Sequence, residues 1–243
     1  RDVALEFTGS PAVMTTIYLD YNATTPVAPS VTRAMLPFLE NHFGNPSSSH
    51  QLGQVPREAI ARARSQLAGM LLSNDDEIVF TSGGSEANNM ALKGTLLQHE
   101  PSSAHLVISA FEHPAILEPA RFLERVGYGV TLVPVDGNGV VQPDQVAAAI
   151  QPQTRLVSIM HANNEIGTVQ PIREIADLCH RQGVLVHTDA AQSIGKIPVH
   201  VNDLGVDLLT VAGHKLYAPK GVGALYVRDG VTLEPVIHGA GHE

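Results

Sequence analysis

The sequence is short of positive charge, with 15 Lys and Arg against 24 Asp and Glu and a formal net charge of −9 at pH 7. Nucleic acids and anionic membrane surfaces select a basic patch, so this balance argues against both as partners. No apolar run approaches the ~18 residues needed to span a bilayer, and the N-terminal residues show no secretory pattern. One cysteine, Cys179, excludes an internal disulfide framework and fits a reducing cytoplasm. Zinc-type His and Cys spacings are missing, so no metal site is expected. Also missing are the G-x-S-x-G elbow of α/β-hydrolases, the dinucleotide pattern G-x-G-x-x-G and a Walker A ending. No repeat, low-complexity tract or long linker divides the chain.

What remains is enough for one substantial domain: 243 residues, 44% of them hydrophobic. Short β-branched runs alternate with longer amphipathic stretches, which predicts an α/β domain with three α/β/α layers around a mostly parallel sheet. The spacing predicts strands at Glu77–Thr81, His105–Ser109, Val130–Pro134, Arg155–Met160, Val184–Asp189, Asp207–Val211 and Gly223–Val227. It predicts helices at Ser30–Asn41, Pro56–Leu71, Ser85–His99, Ala115–Val126, Pro143–Ile150 and Ile172–Gln182. Between Val211 and Gly223 there is no room for a crossover helix, so the last two strands are expected to be antiparallel. Residues 1–13 read as a tag or vector-derived segment before a natural start at Met14. The glycine-rich ending Gly239–Glu243 reads as a loop at which a longer protein is truncated.

Open α/β sheets hold ligands outside the carboxyl ends of their strands. Five polar clusters fall there: Thr81–Ser85, Glu112-His113, His161–Asn164, Asp189–Gln192 and Gly213–Lys215. One site built from all five is the economical reading. Ser82-Gly-Gly-Ser-Glu86 joins a strand to a helix, and small residues there let an anion reach backbone N–H groups and the helix dipole. The alternative is an ordinary turn with Ser85 as N-cap. Asp189 ends a strand, where a carboxylate needs a partner. A protonated pyridine nitrogen is one choice, an N-cap bond the other. Gln192, three residues on, is placed to face the same ligand. Lys215 lies between an apolar strand and Leu-Tyr-Ala-Pro-Lys-Gly, a setting in which a desolvated amine forms Schiff bases. Its rival Lys220 sits in a turn that looks exposed. His187 reads as a satisfied core residue and Cys179 as a packing residue on a helix.

In order along the chain stand Tyr18-Leu-Asp-Tyr-Asn-Ala-Thr-Thr-Pro26, Gly44-Asn-Pro-Ser-Ser-Ser-His50, Phe80-Thr-Ser-Gly-Gly-Ser-Glu-Ala-Asn-Asn89 and Glu112-His113. Then come His161-Ala-Asn-Asn-Glu-Ile-Gly167, His187-Thr-Asp-Ala-Ala-Gln192 and Gly213-His-Lys215. Together they resemble the cysteine desulfurase and selenocysteine lyase family of fold-type I, class V aminotransferase-like enzymes. The resemblance covers Met14 to Glu243. It implies pyridoxal 5'-phosphate as cofactor, with Lys215 as its covalent anchor and the base at the substrate Cα. It implies that Asp189 pairs with the pyridine nitrogen, His113 stacks on the ring, and Asn163 and Gln192 bond near the ring oxygen. Gly84, Ser85 and His214 would hold the phosphate. Where the family often has a serine or threonine two residues before His214, this chain has Ala212.

The implied reaction converts L-cysteine to L-alanine, with the sulfur passed as persulfide to an enzyme thiol. L-selenocysteine is the alternative substrate. The family's thiol loop and its arginine for the substrate carboxylate lie beyond Glu243, so this chain alone is expected to be inactive. Residues 14–28 would pack with the missing small domain and 29–243 form the cofactor-binding large domain. The resemblance further implies a homodimer and a sulfur acceptor or iron–sulfur scaffold protein as partner. A class V aminotransferase, and a non-catalytic short form serving as a binding or regulatory module, are the other readings.

Overall fold

The computed structural model describes residues 17–241; the expected tag at 1–13 and Met14 lie outside them. Seven strands form one sheet: β1 (Ile78–Thr81), β2 (His105–Ser109), β3 (Gly129–Val133), β4 (Thr154–Ser158), β5 (Leu185–Asp189), β6 (Leu208–Ala212) and β7 (Gly223–Val227). Their order is β1-β7-β6-β5-β4-β2-β3. The run from β3 to β6 is parallel throughout. Strand β7 is antiparallel to β6, as the short Val211–Gly223 connection requires, and also to β1. The helices are α1 (Pro29–Glu40), α2 (Gln51–Leu71), α3 (Gly84–Leu96), α4 (Pro114–Arg125), α5 (Pro143–Ala149), α6 (Ile172–His180) and α7 (Val201–Leu204).

Every residue of β2 and of β6 is buried, as expected of strands covered on both faces. Side chains alternate between two cores. Val107, Val157, Val186 and Leu209 meet Val146 of α5 and Ile172, Ile175, Ala176 and Cys179 of α6. The latter four stand at i, i+3, i+4 and i+7, one helix face. Leu106, Ile108, Leu156 and Leu208 meet Ala91, Leu92 and Leu96 of α3 and Ile116 and Leu123 of α4. The sheet is thus the middle of three layers. Cys179 is fully buried in the first core, and burial pushes its thiol up to about 12. Among the described residues no helix is long and apolar enough to cross a membrane.

The departures from expectation have local causes. Helix α2 begins at Gln51, earlier than the expected Pro56, and runs through Gly53, a glycine with a packing role. A Cβ on Gly53 would lie 2.5 Å from the backbone oxygens of Asn45 and Ser48, so the glycine admits the loop crossing it. Glu77 precedes β1 in a 3₁₀ turn, where its carboxylate accepts from Asn74 N at 2.8 Å in a capping box. The four residues of α7 are too few to show a helical period.

Candidate active site

The five clusters meet. A cavity of about 350 Å³ at the carboxyl ends of the strands is bordered by Ser82–Glu86, Asn88, His113, Asp189, Gln192, Ala212, His214 and Lys215. The position follows from topology. Strands β2 and β4 are neighbours, but the chain runs from β2 outward to β3 and from β4 the other way to β5. Their loops part there, which opens the crevice.

At one end the cavity is closed by the start of α3. Gly83 occupies the N-cap position with φ 153°, and Gly84 is the first helical residue, so Ser85 lies in the first turn and does not cap. The reason is steric: Gly83 takes a φ that side-chain-bearing residues rarely adopt. The glycines also allow close packing. A Cβ on Gly84 would come within 3.3 Å of Ala212 Cβ, and one on Gly223 within 2.7 Å of Gly83 Cα. The first-turn N–H groups of α3 have no acceptors within the helix, so this end favours an anion. The Ser82 N–H is excluded from that set, because it donates to Glu86 Oε2 at 2.6 Å.

Asp189, 6% exposed, ends β5. Its Oδ2 accepts from Asn88 Nδ2 at 2.8 Å and its Oδ1 from Ala191 N at 2.9 Å. The carboxylate thus secures the turn that follows it and also borders the cavity. Asn88, fully buried, was not singled out by sequence. Its signal was a polar residue four positions after Gly84, on a helix otherwise buried through Ala87, Ala91 and Leu92.

Lys215 closes the 3₁₀ turn Gly213–Lys215 after β6. Its Nζ donates to Asn22 O, the same carbonyl to which Gln192 Nε2 donates at 2.9 Å. Burial lowers the ammonium's pKa and Lys196 adds to this, while Asp189 and Asp20 oppose it. His214 is lowered by burial and by Lys215. Its Nδ1 lies 3.2 Å from Thr24 Oγ1. The exposed His113 is the N-cap of α4, its Nδ1 accepting from Ala115 N at 3.1 Å. That bond leaves Nε2 as the protonated nitrogen of the neutral ring. Lys220 borders the cavity but is exposed.

Asn163 stands apart. It is buried, its Oδ1 accepts from Glu165 N and Ile166 N (2.8 and 3.1 Å), and it does not border the cavity, whereas Asn164 does. The segment Asn22–Ala28, most of it within the Tyr18–Pro26 motif, had no position at this site assigned to it by sequence. It is laid across the site by Thr25 N to His214 O (3.0 Å) and Ala28 N to Tyr217 O (2.9 Å), and Ala23 borders the cavity.

The arrangement thus offers an anion cradle, a buried carboxylate, a half-buried amine and an imidazole around one small-molecule-sized space. The family described as Aminotransferase class-V matches residues 17–242. Cysteine desulfurase IscS of Dictyoglomus turgidum is 50% identical over 227 residues, covering 93% of this chain and 58% of the relative. The cysteine desulfurase of Mus musculus is 47% identical over 235 residues, covering 96% and 51%. Among solved structures, SspA in complex with cysteine matches with a TM-score of 0.91 at 44% identity, over 93% of this chain and 66% of that one. A NifS-like protein matches with a TM-score of 0.90 at 39% identity, over 93% and 62%. The chain spans little more than half the length of the two curated relatives. On the match along residues 17–242, the chain belongs to the class-V aminotransferase family.

Proposed function

We propose that this chain is the cofactor-holding part of a pyridoxal 5'-phosphate-dependent cysteine desulfurase that takes L-cysteine to L-alanine. The observation that carries the reading is the amine of Lys215, the carboxylate of Asp189 and the first turn of α3 around one cavity. The residues fit that cofactor. The glycine-lined start of α3 suits its phosphate, and a Cβ on Gly84 would press on Ala212 and narrow the space. Asp189, held by Asn88 and Ala191, suits a protonated ring nitrogen. When bound, pyridoxal phosphate supplies a carbonyl that joins amines and a ring that draws electrons from Cα.

The chain's own residues divide the remaining work. Lys215 would hold the group covalently and would serve, as a free amine, to take the proton from Cα at Nζ; the lowered pKa of that amine favours both roles. His113 borders the cavity, with Nε2–H free to donate there or the ring to stack. Gly84, Ser85 and His214 would hold the phosphate end, and Gln192, bordering the same cavity, would serve the ring. Asn163 supports this site through its loop. The segment Asn22–Ala28 covers Lys215 and sheds water from it. The sulfur must go to a thiol from elsewhere, since Cys179 is fully buried in the core with its thiol pushed up to about 12. A homodimer belongs to the same reading. Its support is α1, which has no buried residue and carries exposed Leu36 and Leu39.

Adding pyridoxal phosphate to the purified chain should produce a yellow, borohydride-reducible species in wild type. Lys215→Ala should stay colourless and Lys220→Ala should colour. A wild-type chain that remains colourless defeats the reading.

A further inference from the structure

At the parting of the β2 and β4 loops, the sheet's own hydrogen bonds no longer set the spacing between them. One side chain bridges the gap. Glu112, 6% exposed, accepts two hydrogen bonds on Oε1. One comes from Ser109 Oγ at the end of β2 (2.6 Å), the other from Met160 N just beyond β4 (2.9 Å). Asn163 Nδ2 adds a weaker link between the same loops, donating to Phe111 O at 3.4 Å. Met160 borders the cavity on one side of this clamp, and His113, the residue following Glu112, borders it on the other. Glu112 Oε2 is buried and has no hydrogen-bond partner among the described residues.

With both donors on Oε1, the buried Oε2 has none, which disfavours the ionised form of the group. Burial pushes Glu112 up to about 8, and the charge of Asp189 acts in the same direction. At neutral pH the group is therefore mostly a neutral acid, accepting through one oxygen and carrying hydrogen on the other. Neutrality also leaves the negative charge of this floor to Asp189. Nearby carboxylates repel when both are charged, so Asp189 and burial together disfavour the ionised form of Glu112.

We infer that Glu112 is a positioning residue: it ties the turn bearing His113 to the loop after β4 and so fixes that imidazole at the cavity. Truncating it leaves Ser109 Oγ and Met160 N without their acceptor, and the turn is free to shift.

Two readouts test this. The first, histidine-ring NMR on the cofactor-free chain, does not depend on the pyridoxal-phosphate reading. Glu112→Ala should displace the His113 ring signals, and Glu112→Gln, which keeps a neutral acceptor with a hydrogen-bearing second atom, should return them to the wild-type positions. The second rests on that reading: titration with pyridoxal phosphate should show affinity weakened about tenfold or more by Glu112→Ala and restored by Glu112→Gln, with the visible band moving only in the alanine variant. Should Glu112→Ala not fold, Ser109→Ala removes one donor and should give the same displacement in smaller measure. His113 signals unchanged in these variants overturn the inference. A wild-type chain that fails to bind the cofactor overturns the functional reading alone, leaving the NMR arm to judge Glu112.

Discussion

Two buried titratable residues, Glu112 and His187, pull stability in opposite directions with pH. His187 lies inside β5 between Ser158 Oγ (2.8 Å) and Thr210 Oγ1 (3.1 Å), and burial pushes it down to about 3. The unfolded chain therefore takes up a proton near pH 6.5 that the folded chain refuses until about pH 3, so stability falls as pH drops through that window. His105 and His161, also lowered by burial, add to the same slope. His187→Asn should lower stability near neutrality yet flatten the acid limb; CD-monitored unfolding across that range reads the slope, and an unaltered slope contradicts a neutral His187. Glu112 works the other way. Between its ordinary range and about 8 the folded state keeps a proton that the unfolded state has lost, so this contribution fades as pH rises. Glu112→Gln should therefore gain on wild type as pH rises through that window and keep the gain above about pH 8, by the order of a few kcal/mol in urea unfolding.

At the scale of elements, the decisive contact is between β7 and the turn into α3. The antiparallel insertion of β7 between β6 and β1 brings Gly223 against Gly83, so a methyl at 223 would meet backbone at 2.7 Å. Backbone cannot rotate away as a side chain does. Gly223→Ala should cost about 1–3 kcal/mol by overpacking and loosen the anion cradle as well. A lowered melting temperature together with weaker pyridoxal phosphate binding is expected. A loss of stability with the affinity intact would show that the strand, and not the cradle, absorbs the strain. Helix α3 links two jobs over one turn, since its start is the cradle and Asn88 braces Asp189.

Across the whole molecule, burial is uneven. The two cores hold the sheet between α3 and α4 on one side and α5 and α6 on the other. Helix α1 buries nothing, and of the 21 residues of α2 only Gly53, Pro56, Ala68 and Leu71 are buried. Amides of α1 should therefore exchange through local opening, ahead of those in β4 and β5, which exchange only with global unfolding. Hydrogen-exchange mass spectrometry on the cofactor-free chain separates the two, and equal protection would mean that α1 is covered by a partner copy.

Alternation of β-branched runs with helical stretches was sufficient for the sheet and its layers, because strand length and burial on both faces are written in local composition. The short Val211–Gly223 connection gave the antiparallel β6–β7 pair but not the β1–β7 pair. The rule for carboxyl ends then placed Asp189, His113, Lys215 and the Ser82–Ser85 turn together. What the sequence left undetermined depended on chain segments far apart in order. Asn88 gains its meaning from a carboxylate 101 residues away, Lys215 from a carbonyl at Asn22, and Glu112 from an N–H at Met160. Asn163 matched a motif but is folded into its own loop, with Asn164 left at the wall. Local pattern determined which elements form. Tertiary structure decided which polar groups lose water and find partners, since desolvation is a property of the assembled interior.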